Sequence, residues 1–220
     1  MDQQQLAELV ANYQPDERVI AGLSKVHLLM VVGPTGVGKS TLIKASGLPE
    51  VIGDASRAPR SNEVNGVDNW FRSLDDMLAE VDAGRYVQLA IGSEGDLKAT
   101  HAGSFPPSGP AAFPVVVSAL GVFRSLPFAS TATAVIVPPD YDTWMQRIST
   151  HHTAPDKLAA RLAEAKRSYE FVLHDEASMF VLNDELEAAV TRLLAVASGH
   201  LPDHHAQARD IAADLLKRID

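Results

Sequence analysis

Apolar residues in this chain fall into two kinds of pattern. Short continuous runs lack any alternation, as strands of a parallel sheet buried on both faces do: Val26-His27-Leu28-Leu29-Met30-Val31-Val32, Val115-Val116-Val117-Ser118, Ala134-Val135-Ile136-Val137 and Met179-Phe180-Val181-Leu182. Helical spacing recurs over residues 74–83, 142–148, 157–173 and 185–197, and residues 202–218 predict a last helix. Residues 6–13 predict a short helix, and Pro15 beside Asp16 and Glu17 predicts the start of a second. Residues 86–91 read as a further strand. The polar stretch 55–71 reads as loop and irregular strand, and the proline- and glycine-rich stretch 103–114 as a connector. Strands alternating with helices predict a doubly wound α/β sheet.

Directly after the first apolar run, Gly33-Pro34-Thr35-Gly36-Val37-Gly38-Lys39-Ser40-Thr41 completes the pattern G-x-x-x-x-G-K-[ST]. Leu42, Ile43 and Ala45 can continue it as a helix. A strand, a glycine turn and a helix N-terminus are what a polyphosphate needs. The glycines let backbone N–H groups turn inward, and the helix start adds partial positive charge. In that arrangement Lys39 reaches the β- and γ-phosphates of a nucleoside triphosphate and Ser40 holds Mg²⁺ through its hydroxyl.

Composition narrows the rest. At 220 residues the chain can bury a full α/β core, and one domain with small insertions fits that length. A formal charge of −9 argues against general nucleic-acid binding, which needs a basic face. No cysteine is present, so disulfides, thiol nucleophiles and Cys-ligated metals are excluded. No apolar run approaches bilayer length, and the N-terminus lacks the pattern of a signal peptide, so a cytoplasmic protein with no membrane partner is expected.

A second segment carries a family resemblance. Ser56-Arg57-Ala58-Pro59-Arg60-Ser61-Asn62-Glu63-Val64-Asn65-Gly66-Val67-Asp68-Asn69-Trp70-Phe71 resembles the T-R-x-P-R-x-x-E-x-x-G-x-x-Y-x-F segment that guanylate kinases carry after a loop G-P-[ST]-G-x-G-K-S-T. The Pro138-Pro139 strand end, Arg147, Arg161 and the turn at Asn183-Asp184 fall in register as well, and the likeness spans roughly residues 26–195. The resemblance implies a P-loop kinase with ATP and Mg²⁺ as cofactors and a small phosphorylated acceptor. It places Gly33, Thr35, Gly36, Val37, Gly38, Lys39, Ser40, Thr41 and Asn183 on ATP, with Lys39, Arg147 and Arg161 acting on the transferred group. Ser56, Arg57, Arg60, Glu63, Gln88, Thr100 and Ser118 fall on the acceptor side. It also implies an organisation: a helical extension over 1–25, a core of 26–55 and 110–200, an acceptor subdomain at 56–109, a lid at 146–160 and a terminal helix at 201–220.

Departures concentrate on the acceptor side. Gln88 stands where the family carries a glutamate that accepts from guanine N1–H and its 2-amino group. One amide acceptor beside a donor is a mismatch that costs on the order of 1–3 kcal/mol in a buried pocket. Gly95-Asp96-Leu97-Lys98-Ala99-Thr100 replaces G-N-Y-Y-G-[ST], Asn69 replaces a tyrosine, and Val116 and Ser118 replace two aspartates. His151 stands at the lid's second arginine. The pairs His151-His152 and His204-His205 read as exposed residues rather than metal ligands. The expectation is transfer of the ATP γ-phosphate to a nucleoside monophosphate, with GMP first and another base open. The alternatives are a nucleotide-binding module without transfer, or a kinase of a non-nucleotide acceptor. A homodimer stays open, with the last helix expected to pack on its own chain.

Overall fold

The computed structural model describes residues 1–60, 63–92, 94–149 and 155–219, with side chains from 158 onward in the last stretch. The chain forms two compact units. One comprises Met1–His27, Val51–Ala111 and Gly121–Ala129; the other comprises Leu28–Glu50, Ala112–Leu120 and Ser130–Asp220.

The second unit carries an α/β arrangement around a parallel sheet, as the pattern predicts. Its strands are β1 (Val26–Val32, in this unit from Leu28), β6 (Gly109–Pro114, in this unit from Ala112), β7 (Ser130–Val137) and β8 (Ser178–Leu182), in the order β6-β1-β7-β8. β7 and β8 pair in parallel with Val135 opposite Phe180. Leu28 to Val32 and Ala134 to Val137 are buried throughout, which is why these runs show no alternation. Helix α3 (Lys39–Ser46) packs on α8 (Leu186–Ala197), and α9 (His205–Ile219) packs on α7 (Pro155–His174) and β8. The terminal helix therefore covers its own chain through Ala208, Ala212 and Leu215. Helix α6 (Tyr141–Ser149) completes this unit.

The first unit is a small mixed sheet with helices. Its strands are β2 (Asp54–Ala55), β3 (Trp70–Phe71), β4 (Tyr86–Ile91) and β5 (Leu97–His101), in the order β3-β2-β5-β4. Helices α1 (Gln3–Asn12), α2 (Glu17–Ala21) and α4 (Leu74–Asp82) begin at Asp2, Asp16 and Ser73, whose side chains accept from backbone N–H groups of the first turn. Leu6 of α1 and Met77 of α4 share one core with Tyr86, Leu89, Leu97 and Ala99. The buried Tyr86 hydroxyl donates to Asp54 at 2.8 Å, and Arg72 pairs with the same carboxylate at 2.8 Å, tying β2 to β4.

Three expectations need correction. The 103–114 stretch is not only a connector, because Gly109–Pro114 forms the edge strand β6. An edge strand tolerates Pro110 and Pro114, since no ladder hydrogen bond is lost on the open side. Conversely, the run from Val115 to Ser118 is not a strand. Residues Val117–Ala119 form a 3-10 turn that leads into α5 (Leu120–Ser125), and Val116 is 54% exposed. β5 was not foreseen at all. Nor is His205 an exposed residue. Its Nδ1 accepts the Phe180 N–H at 3.0 Å, satisfying a backbone donor on the edge strand β8.

Among the described residues no helix is long and apolar enough to cross a membrane. The C-terminal part of the second unit is tied down by Arg192, 5% exposed, whose guanidinium donates to Leu182 O at 2.9 Å and Asp184 at 2.6 Å and reaches Asp203 at 3.2 Å. Asp184 and Asp203 keep 36% and 66% of their side-chain exposure, so they rehydrate when the cation is removed. Arg192→Leu is therefore expected to cost about 1–3 kcal/mol, below the about 3–5 kcal/mol of a fully buried pair, as read from the urea midpoint.

Candidate active site

In the second unit the loop Gly33 to Gly38 leaves β1 and enters α3. Gly36 and Gly38 take φ values of +84° and +96°, open to glycine and strained for other residues. Space excludes a side chain there as well. A Cβ at Gly38 would lie 2.5 Å from Asn183 Nδ2, and one at Gly36 would lie 2.9 Å from Ile148 Cγ1. Two side-chain donors hold the loop's carbonyls. The Asn183 amide donates to Val37 O at 2.7 Å, and the Trp144 indole donates to Thr35 O at 2.9 Å. Both side chains are buried.

The loop borders a cavity of about 390 Å³ lined by Thr35, Gly36, Gly38, Lys39, Ser40 and Arg147. Lys39 bends back and donates to Gly33 O at 2.5 Å and Pro34 O at 3.0 Å. Burial lowers its pKa to about 8; the Glu164 carboxylate opposes that shift and the Arg161 cation adds to it. Arg161 pairs with Glu164 at 2.9 Å on α7. A helix N-terminus, a lysine held against carbonyls and two guanidiniums make this a place for a polyanion. Ser40 and Thr41 lie in the first turn of α3. Asn183, expected on the nucleotide, holds the loop's Val37 carbonyl in this structure.

The first unit holds a second group of charges. Arg57 grips Glu63 through both terminal nitrogens at 2.6 and 2.7 Å, and its guanidinium lies over Phe71 at 5.2 Å. Glu63 also accepts the Arg60 N–H at 2.8 Å. Hydrogen bonding to Arg57 is the main cause that lowers its pKa to about 2. Arg60 reaches Glu94, and its side chain is 37% exposed. Lys98 lies 3.6 Å from Asp96 and donates to Asn69 at 3.3 Å. Ser56 is engaged with β5, accepting the Leu97 N–H at 2.8 Å. Gln88 and Thr100 are buried register partners on β4 and β5. Thr100 donates weakly to Gln88 at 3.5 Å, while the Gln88 amide donates to Leu89 O at 2.6 Å.

The expected residues are thus gathered as two sets. Gly33 to Thr41, Arg147, Arg161 and Asn183 belong to the second unit; Ser56, Arg57, Arg60, Glu63, Gln88 and Thr100 belong to the first. Ser118 falls in the second unit, on the 3-10 turn, apart from the other acceptor-side residues in assignment. His151 and His152 lie outside the described residues, as do Ser61 and Asn62. Sequence reasoning missed Trp144, Ile148 and the Lys98–Asp96 pair. A tryptophan on an apolar helix face needs a partner for its N–H, and that was the available signal.

No family model matches the chain. A guanylate kinase of Corynebacterium diphtheriae is 28% identical over 191 residues, covering 79% of this chain and 95% of its own length. That of Nocardia farcinica is 29% identical over 192 residues, covering 78% and 93%. Among solved structures, guanylate kinase from Anaplasma phagocytophilum matches with a TM-score of 0.56 at 16% identity, over 87% of this chain and 93% of that chain, a likeness of fold.

The Glu63 pair has a pH signature. Its carboxylate titrates near 2 when folded against an ordinary 4.5, so its stabilisation is complete above pH 4.5 and is lost as pH falls toward 2. Urea midpoints measured between those values are expected to fall with pH in the native chain. The same measurements on Glu63→Gln should give a flatter slope from a lower starting stability.

Proposed function

We propose, given that the chain is a distant member of the guanylate kinase family, that it moves the γ-phosphate of ATP to a nucleoside monophosphate, GMP first among acceptors. The observation that carries this reading is the preformed cavity on which the glycine loop, Lys39, Ser40 and Arg147 converge. Phosphoryl transfer leaves side chains little covalent work. It requires in-line alignment of two anions and neutralisation of the moving charge. Lys39 exchanges the carbonyls of Gly33 and Pro34 for phosphate oxygens, an exchange that favours its charged form. Arg147 and Arg161 supply further positive charge to the transferred group.

Ser40, on the cavity wall, is the hydroxyl that would hold the Mg²⁺ accompanying ATP, and the ion would supply charge neutralisation among the phosphates. On the acceptor side, Arg57 has its fork committed to Glu63, whereas Arg60 is more exposed and pairs with the exposed Glu94. Arg60 is thus the readier hand for an incoming phosphate, and Arg57 follows by partial exchange.

A second reading, a nucleotide-binding module without transfer, is favoured by one observation. Val116 and Ser118 stand where the family pattern carries two aspartates, so both carboxylates are missing. ADP formation from Mg·ATP with GMP, dGMP, AMP, UMP, CMP and IMP in parallel, with Lys39→Ala as the blank, separates the two. Stimulation by a monophosphate, abolished in the variant, is the expected result. Nucleotide binding without stimulation by any monophosphate would overturn transfer to a nucleotide.

The acceptor preference has its own test. Gln88→Glu restores a two-oxygen acceptor beside Thr100. It should raise kcat/KM for GMP relative to AMP by about tenfold, the worth of about one hydrogen bond to a charged group. An unchanged ratio would remove Gln88 from base reading.

A further inference from the structure

We propose that Trp144 is a positioning residue that fixes the peptide between Thr35 and Gly36, so that the Gly36 N–H faces a bound polyphosphate. The proposal rests on the reading of the loop as the nucleotide site. In a trans peptide the C=O and the following N–H point in opposite directions. Holding the Thr35 carbonyl against the indole N–H at 2.9 Å therefore turns the Gly36 N–H the other way. Gly36 itself imposes no orientation, because glycine populates both signs of φ freely. The constraint has to come from outside the loop.

Trp144 is suited to supply it. The side chain is fully buried, and its ring stands edge-on to Tyr141 at 6.1 Å and to Tyr169 at 6.2 Å, so its plane is fixed by packing. Indole has a single donor and no acceptor. Were the Thr35 carbonyl to turn away, that donor would be buried without a partner. The carbonyls of Gly33 and Pro34 are held by Lys39, which has to leave them to meet phosphate. Those of Thr35 and Val37 are held by Trp144 and Asn183, which stay. The loop thus has two temporary and two permanent restraints.

Helix α6 also carries more than one contact to the loop region. Positions 144, 147 and 148 share one helix face. On that face Trp144 holds Thr35, Arg147 lines the cavity, and Ile148 underlies Gly36. Any shift of α6 is thereby transmitted to the Thr35–Gly36 peptide.

The test compares Trp144→Phe, which keeps an aromatic ring and removes the N–H, with the native chain. Two readouts are needed. The first is the ¹H–¹⁵N signal of Gly36 in the ligand-free protein, expected to be single in the native chain and shifted or exchange-broadened in the variant. The second is Mg·ATP affinity by calorimetry, expected to weaken about tenfold, the worth of about one hydrogen bond, while the melting temperature stays within about 4 °C. An unchanged Gly36 signal overturns the proposal whatever the affinity. A shifted Gly36 signal with no Mg·ATP binding even by the native chain supports the positioning role and overturns the nucleotide reading instead. A variant that binds Mg·ATP as tightly as the native chain overturns the functional part.

Discussion

A backbone loop can present its N–H groups to a phosphate only if the carbonyls of the same peptides are satisfied elsewhere. Around Gly33 to Gly38 that requirement is met by a lysine, an indole and an amide, the last two reaching the loop from α6 and from the end of β8. The rest of the second unit follows from it. β1 and β8 lie in one sheet so that the loop and Asn183 meet, and α3 packs on α8, which follows directly from the Asn183 turn. The buried runs of β1, β7 and β8 keep those two strand ends in register.

The first unit solves a different problem. It holds cations near one another, which would be repulsive if each lacked a counter-charge. Arg57, Arg60 and Lys98 are matched by Glu63, Glu94 and Asp96 at contact distances. Pairs of this kind contribute little when exposed, and more where the side chains are mostly covered, as at Arg57 and Glu63. Their arrangement also grades the cations: Arg57 is covered and bonded through both terminal nitrogens, and Arg60 is more exposed.

Much of this was legible because it depends on local chemistry. The glycine loop is a sequence pattern because its backbone conformation and close contacts exclude side chains. The strands β1, β7 and β8 are legible because burial on both faces leaves continuous apolar runs. What stayed hidden depends on distant partners. Trp144 meets Thr35 across 109 positions, and Arg60 meets Glu94 across 34. β6 was obscured because its prolines are turn signals in sequence yet harmless on a sheet edge. The apolar Val115–Val117 run looked more like a strand, but only Val115 is buried.

The glycine loop keeps the kinase pattern while the 56–100 region departs from it, and that contrast has a physical basis at Gln88. A carboxylate there would be buried beside the Thr100 hydroxyl, and the two partners that position 88 meets, Leu89 O and Thr100, carry no charge to offset it. Burial penalises an unpaired carboxylate, so such a residue is tolerable only where ligand binding offsets the cost. Glutamine removes the penalty by bonding to Leu89 O and Thr100. It also loses the two-acceptor face that guanine N1–H and the 2-amino group would require. Backbone N–H groups read a phosphate and not the base attached to it, so on the proposed reading an exchange at position 88 leaves the demands on the loop unchanged.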